Sequence, residues 1–110
     1  MSARARRRAP NLVLITSDQQ RFDSLGCYGI PGVSTPNLDA LAGRGLRFDA
    51  CYPNGVVCTP SRASLMTGRP LSGHGVYRLH DVMPDDAVLL PRLLQDAGYR
   101  TAHFGKLHIS

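Results

Sequence analysis

Asn11-Leu12-Val13-Leu14-Ile15-Thr16 is a short, near-continuous apolar run that stops at Ser17-Asp18-Gln19-Gln20. Apolar residues at successive positions, over so short a length, predict a strand buried on both faces in a parallel sheet. Outward from this run the elements alternate. After a turn-rich stretch (Gly26 to Ser34), Thr35 is placed to cap a helix that Pro36 begins and Gly45 closes in a left-handed conformation. Leu38, Leu41 and Ala42 give that helix its apolar face. Leu46, Phe48, Ala50 and Tyr52 alternate with Arg47, Asp49 and Cys51, a period of two that predicts a strand with one polar face. A second short helix is expected after Cys58, with Thr59 as cap, Pro60 as the first helical residue and Gly68 as terminator. Arg69 to Asp86 reads as loop. Leu90, Leu93, Leu94 and Ala97 form one face of a further helix ended by Gly98, and Tyr99 to Phe104 reads as another strand. Strands alternating with helices define an α/β fold with a mostly parallel sheet.

Composition narrows the function classes. The 110 residues are 43% hydrophobic and 19% charged, which is globular usage. Leu12 to Ile15 is the longest apolar run, far below the ~20 residues of a membrane span, so no membrane partner is expected. The net charge of +5 comes largely from Arg4, Arg6, Arg7 and Arg8; the remainder holds 9 basic against 8 acidic residues. Residues 1–10 therefore read as a basic disordered arm on a nearly neutral body, and nucleic acid is not an expected partner. No secretory h-region follows the arginines, which makes the cytoplasm the default compartment. Cys27, Cys51 and Cys58 form no C-x-x-C pair, which argues against a disulfide framework or a zinc knuckle.

In open parallel sheets, ligands gather beyond the C-terminal ends of strands. Asp18 lies past one such end; Lys106 and His108 lie past another and point the same way if residues 106–108 stay extended. Cys58, just ahead of a helix N-terminus, faces free N–H groups and the positive end of the dipole. Arg62 is expected in that helix's first turn, where a cation opposes the dipole unless it holds an anion. Each feature also has a plainer reading. A free cysteine is commonly core, an aspartate after a strand commonly caps a turn, and His74 and His80 read as surface residues. Gly68 to Gly75 has phosphate-loop spacing, but His74-Gly75 stands where Lys-Ser/Thr is required.

Taken together, the string Cys58-Thr59-Pro60-Ser61-Arg62-Ala63-Ser64-Leu65-Met66-Thr67-Gly68-Arg69 resembles the signature of the type I sulfatases, C-x-P-S-R followed by small residues and T-G-R. The strand into Asp18, the Thr35-Pro36-Asn37-Leu38-Asp39-Ala40-Leu41 helix start, and Ala97-Gly98-Tyr99-Arg100-Thr101-Ala102 leading to Gly105-Lys106-Leu107-His108 resemble the same family in the same order. The resemblance covers residues 11–110 and implies the N-terminal part of an alkaline-phosphatase-like α/β domain. It implies hydrolysis of a small-molecule sulfate ester, with Cys58 converted to formylglycine by a formylglycine-generating enzyme that recognises Pro60 and Arg62. A hydrated aldehyde offers one oxygen as nucleophile and a second hydroxyl whose collapse releases sulfate. By the same resemblance, Asp18 and the modified Cys58 would ligate a divalent cation, Ca²⁺ first, with Mn²⁺ or Mg²⁺ as alternatives. Arg62 would hold the formylglycine oxygen, Lys106 would bind sulfate oxygens and His108 would relay a proton.

The sequence departs from the family pattern in three places. Gln19 stands where many sulfatases have a second aspartate, and Asp18-Gln19 looks like the branch of choline sulfatases and phosphonate monoester hydrolases. A phosphonate monoester or phosphodiester is the alternative substrate. Leu107 replaces a common tryptophan, a change of packing. The chain is also much shorter than family members, whose further metal ligands lie downstream. It is therefore expected to behave as an inactive fragment with uncovered sheet edges and apolar faces, with a truncated non-catalytic remnant as the further alternative.

Overall fold

The computed structural model describes residues 9–109. Most of the expected arginine-rich arm, residues 1–8, lies outside that range. Among the described residues four α-helices are present: α1 (Pro36–Arg44), α2 (Cys58–Thr67), α3 (Leu71–His74) and α4 (Leu90–Asp96), preceded by two single 3-10 turns at Phe22–Ser24 and Gly26–Tyr28. No helix among the described residues is long and apolar enough to cross a membrane.

The helix signals in the sequence find their elements, with altered details. Thr35 occupies the position before α1 but does not cap it. Its hydroxyl instead accepts from the Gly26 N–H at 2.9 Å and donates to Asp39 Oδ1 at 2.8 Å, while Asp39 Oδ1 also accepts from the Cys27 N–H. α1 is thereby tied to the preceding turn. Gly45 is extended (φ −126°), not left-handed. α4 ends as expected: the Tyr99 N–H bonds to Leu94 O, the Gly98 N–H bonds to Gln95 O, and Gly98 takes φ +89°. That double closure is a Schellman motif, and it needs a residue tolerant of the left-handed region.

Among the described residues no strand forms at 11–16, 46–52 or 99–104. A strand exists only through the N–H and C=O groups of a neighbour, and these segments find none here. Their side chains are correspondingly uncovered: Val13 is 82% exposed, Ile15 84%, Leu46 89% and Phe104 92%. The expected sheet is thus not present among these residues, although the apolar patterns that predicted it are.

What packing there is gathers on α2. Ala63, Val76, Met83 and Ile109 form the buried apolar cluster, with Met66, Ala87 and Leu89 against it. The radius of gyration is 17.5 Å, against about 13 Å for a compact chain of roughly this length. The chain is drawn out, and its core is one small cluster around one helix.

Candidate active site

α2 has two faces, and its sequence explains both. Thr59, Pro60, Ala63 and Ser64 are buried, one turn apart along the packed side. Cys58, Ser61, Arg62 and Leu65 lie at i, i+3, i+4 and i+7 on the other side and line an open hollow of about 650 Å³. Thr16 to Gln20, the loop through Gly55, Val56 and Val57, Leu79, and Lys106 complete its wall.

The helix begins two residues earlier than expected. Cys58 is its first residue and Val57 precedes it; Thr59 is no cap, because its buried hydroxyl donates to Leu79 O at 3.1 Å. Pro60 is therefore third in the helix. Proline fits there as well as at the first position, since neither N–H has an intrahelical acceptor. Cys58 and Thr59 keep such N–H groups, so the helix presents its positive end beside the cysteine. Arg62 now falls in the second turn, and the expected conflict with the dipole lapses. Gly55 closes the approach, for a Cβ there would sit 3.0 Å from Pro60 Cβ and 3.2 Å from the Ser61 N.

The structure brings all five singled-out residues together. Lys106 Nζ donates to Asp18 Oδ2 at 3.0 Å, and Arg62 Nη2 lies 3.7 Å from Asp18 Oδ1. Arg62 Nη1 donates to Lys106 O at 2.7 Å, which docks the Gly105–His108 segment on α2. Cys58 Sγ and His108 Nδ1 are 3.3 Å apart. The Asp18 carboxyl is held below its ordinary value, first by the hydrogen bond from Lys106, then by the Lys106 charge, with Arg62 adding to both effects. Lys106 and His108 do not share one face of an extended segment, because His108 is left-handed (φ +47°). Gln19, beside Asp18, is left-handed too (φ +52°). These are the non-glycine residues with positive φ among those described. Each such conformation costs about 1–2 kcal/mol in an L-residue, and strain of this kind gathers at functional sites.

One buried group was not foreseen. His74 reads as a loop histidine in the sequence, yet it ends α3 inside the core, 5% exposed. Its Nδ1 accepts from the Val76 N–H at 3.1 Å, which assigns the proton to Nε2, and Nε2 meets Ser64 Oγ at 2.9 Å. The paired residue lies 10 positions away on α2, so no local pattern announces it.

A divalent cation fits this donor set poorly. Ca²⁺ takes 6–8 oxygen ligands, whereas among the described residues Asp18 is the one carboxylate lining the hollow, and both its oxygens face cations. No group of three or more His, Cys, Asp or Glu residues able to hold a metal occurs among the described residues. Asp18 stands at the hollow, but no metal centre forms around it among the described residues. Formylglycine fits better, since Cys58 is half-buried, opens on the hollow and carries a thiol without a disulfide partner.

A cysteine at the positive end of a helix, with a histidine against it and an arginine and a lysine lining the same hollow, is a setting that favours an anion. Comparison with known proteins gives the class. The sulfatase family model matches residues 10–110. Human arylsulfatase A is 43% identical over 108 residues, covering 93% of this chain and 21% of that protein. N-acetylglucosamine-6-O-sulfatase of Bacteroides thetaiotaomicron is 37% identical over 100 residues (91% and 18%), and human N-acetylgalactosamine-6-sulfatase 37% over 122 (99% and 23%). The chain belongs to the sulfatase family, hydrolases of sulfuric esters that generally use formylglycine and a divalent metal. It spans about a fifth of the length of these relatives. They do not single out the choline sulfatase and phosphonate hydrolase branch. No solved structure matches the chain.

Proposed function

We propose that this chain carries the nucleophile and the anion-binding groups of a sulfuric ester hydrolase acting on a small-molecule sulfate ester. The observation that supports this most is the meeting of Asp18, Cys58, Arg62 and Lys106 at one hollow, with His108 against Cys58 and with Asp18 and Lys106 in contact across 88 positions. Formylglycine at Cys58, made by a formylglycine-generating enzyme, would supply a hydrated aldehyde as oxygen nucleophile. The helix end and Arg62 favour negative charge beside it, Lys106 faces the sulfate oxygens, and His108 lies where it can take or return a proton at residue 58.

Asp18 is one metal ligand among several that the reaction needs. A chain with one carboxylate at the hollow does not hold the ion tightly, and we propose that the 110 residues alone do not turn over. In the complete arrangement, segments 11–16, 46–52 and 99–104 are strands of the alkaline-phosphatase-like sheet, their exposed apolar side chains covered by the rest of the fold. Gln19, lining the hollow beside Asp18, supports a phosphonate monoester or phosphodiester as the alternative substrate.

The test is coexpression with a formylglycine-generating enzyme, followed by mass spectrometry of the tryptic peptide ending at Arg62. An aldehyde at Cys58 supports the reading. An unmodified thiol, with the enzyme active on a control peptide, would overturn it in favour of a non-catalytic remnant. Turnover of a chromogenic aryl sulfate by the purified chain with Ca²⁺ would overturn the proposal that it is incomplete.

A further inference from the structure

The residue following His108 decides where the His108 ring sits. Ile109 is 7% exposed and belongs to the buried cluster with Ala63, Val76 and Met83. Ala63 is on α2, the helix whose first residue is Cys58. One short rigid element therefore carries both the cysteine and part of the socket for Ile109. Between socket and cysteine stands His108, in a backbone conformation that only external restraint maintains (φ +47°), with Nδ1 3.3 Å from Cys58 Sγ. On the other side of His108, Lys106 O is fixed to Arg62, also on α2, at 2.7 Å.

We propose that Ile109 is a positioning residue: seated in the α2 core, it holds His108 in the left-handed region and its imidazole against residue 58. The Arg62–Lys106 bond and the Ile109 side chain pin the segment at both ends, and His108 is the arch between them. The registry is set within α2 itself, so it does not depend on how the exposed apolar segments are covered. The inference rests on the reading of residue 58 as the reacting position, and its test requires no turnover.

The full chain is produced with Cys58 as a thiol, in a Cys51→Ser background so that each tryptic peptide bears one cysteine. Alkylation by iodoacetamide at one fixed pH is followed at Cys58, with half-buried Cys27 as the control for general unfolding. His108→Ala is expected to slow alkylation at Cys58, and Ile109→Ala to slow it by the same factor, at least about twofold. Ile109→Val gives an intermediate rate. The double variant His108→Ala/Ile109→Ala is no slower than either single one, because Ile109 acts through His108; a merely structural role would add its own effect. An unchanged Cys58 rate in Ile109→Ala, or full additivity, overturns the proposal. If Ile109→Ala also speeds Cys27, the decision falls to Ile109→Val: slowing that vanishes in the His108→Ala background supports it, and any other result overturns it. Loss of the sulfatase reading would leave these rates as they are.

Discussion

Lys106 Nζ lies 3.0 Å from Asp18 Oδ2, a contact between residues 88 positions apart. It brings the end of the first apolar run and the Gly105–His108 segment to one hollow without any sheet hydrogen bonds between them. Arg62 stands between the two, bonded to the Lys106 carbonyl and facing the other Asp18 oxygen. The site is thus held by a charged triangle anchored on α2.

The pH dependence of that contact has a definite sign. The Asp18 carboxyl lies below its ordinary value of 3.8, chiefly through the Lys106 hydrogen bond and charge. Below that ordinary value the unfolded chain binds the proton more readily than the folded one. The contribution of the contact is therefore complete above it and is lost as pH falls through the lower folded value. A carboxyl-carbon NMR titration is expected to place the Asp18 midpoint below 3.8. Lys106→Met should move it upward. A midpoint indifferent to Lys106 would mean that the contact is not maintained in solution. High salt should weaken it as well, because both groups are about half exposed.

His74 predicts a stability effect away from the hollow. Replacing it by alanine leaves the Val76 N–H and Ser64 hydroxyl buried without partners, at about 1–3 kcal/mol for each unsatisfied group. Ser64→Ala removes one partner and should cost less. Urea denaturation followed by circular dichroism is expected to rank wild type, Ser64→Ala and His74→Ala in falling midpoint. Equal midpoints for the two variants would show that the Val76 bond contributes nothing.

The turn that ends α2 gives a third outcome. Gly68 takes φ +66°, and its N–H bonds to Ser64 O at 2.8 Å. Nothing lies within 4 Å of the place a Cβ would occupy, so the cost of Gly68→Ala is conformational, about 1–2 kcal/mol. Gly68→Asn should recover part of it, since asparagine tolerates that region. A midpoint for Gly68→Asn no higher than that of Gly68→Ala would place the penalty in packing.

These residues also mark how far the sequence could be read. Gly68 and Gly98 located two helix ends, because the left-handed preference of glycine is local chemistry. The sequence puts the start of α2 two residues late, since Pro60 suits the first and third helical positions equally and only the distant Leu79 carbonyl engages Thr59. α3 and the burial of His74 were not legible: Ser72-Gly73-His74 has loop composition, and the partner that buries the ring is on another helix. The apolar patterns at 11–16, 46–52 and 99–104 record a preference for strand, but pairing is a property of neighbours. Asp18, Lys106 and His108 are singled out by their places after apolar runs, Cys58 and Arg62 by the helix start, and the family resemblance joins the five into one site. Their individual contacts, above all the left-handed turn at His108, depend on long-range packing.

Arg62→Lys separates charge from geometry at the centre of the site. The guanidinium serves two partners at once: Nη1 donates to Lys106 O at 2.7 Å while Nη2 faces Asp18 Oδ1 at 3.7 Å. Its side chain is 15% exposed, so it has little water to fall back on. A lysine keeps the positive charge but has a single ammonium on a flexible stem, and it cannot reproduce the planar fork. The Lys106 carbonyl is then the partner most readily lost, because the Asp18 charge competes for the same ammonium. A hydrogen bond from a charged donor contributes about 1.5–3 kcal/mol, roughly ten- to a hundredfold in the local opening equilibrium. Cleavage by trypsin after Lys106, which requires its carbonyl to leave Arg62, is expected to accelerate by about that factor in Arg62→Lys, while cleavage after Arg100 stays close to wild type. If cleavage after Lys106 does not change, charge alone docks the segment, and the bidentate geometry of Arg62 serves only the anion that the hollow receives.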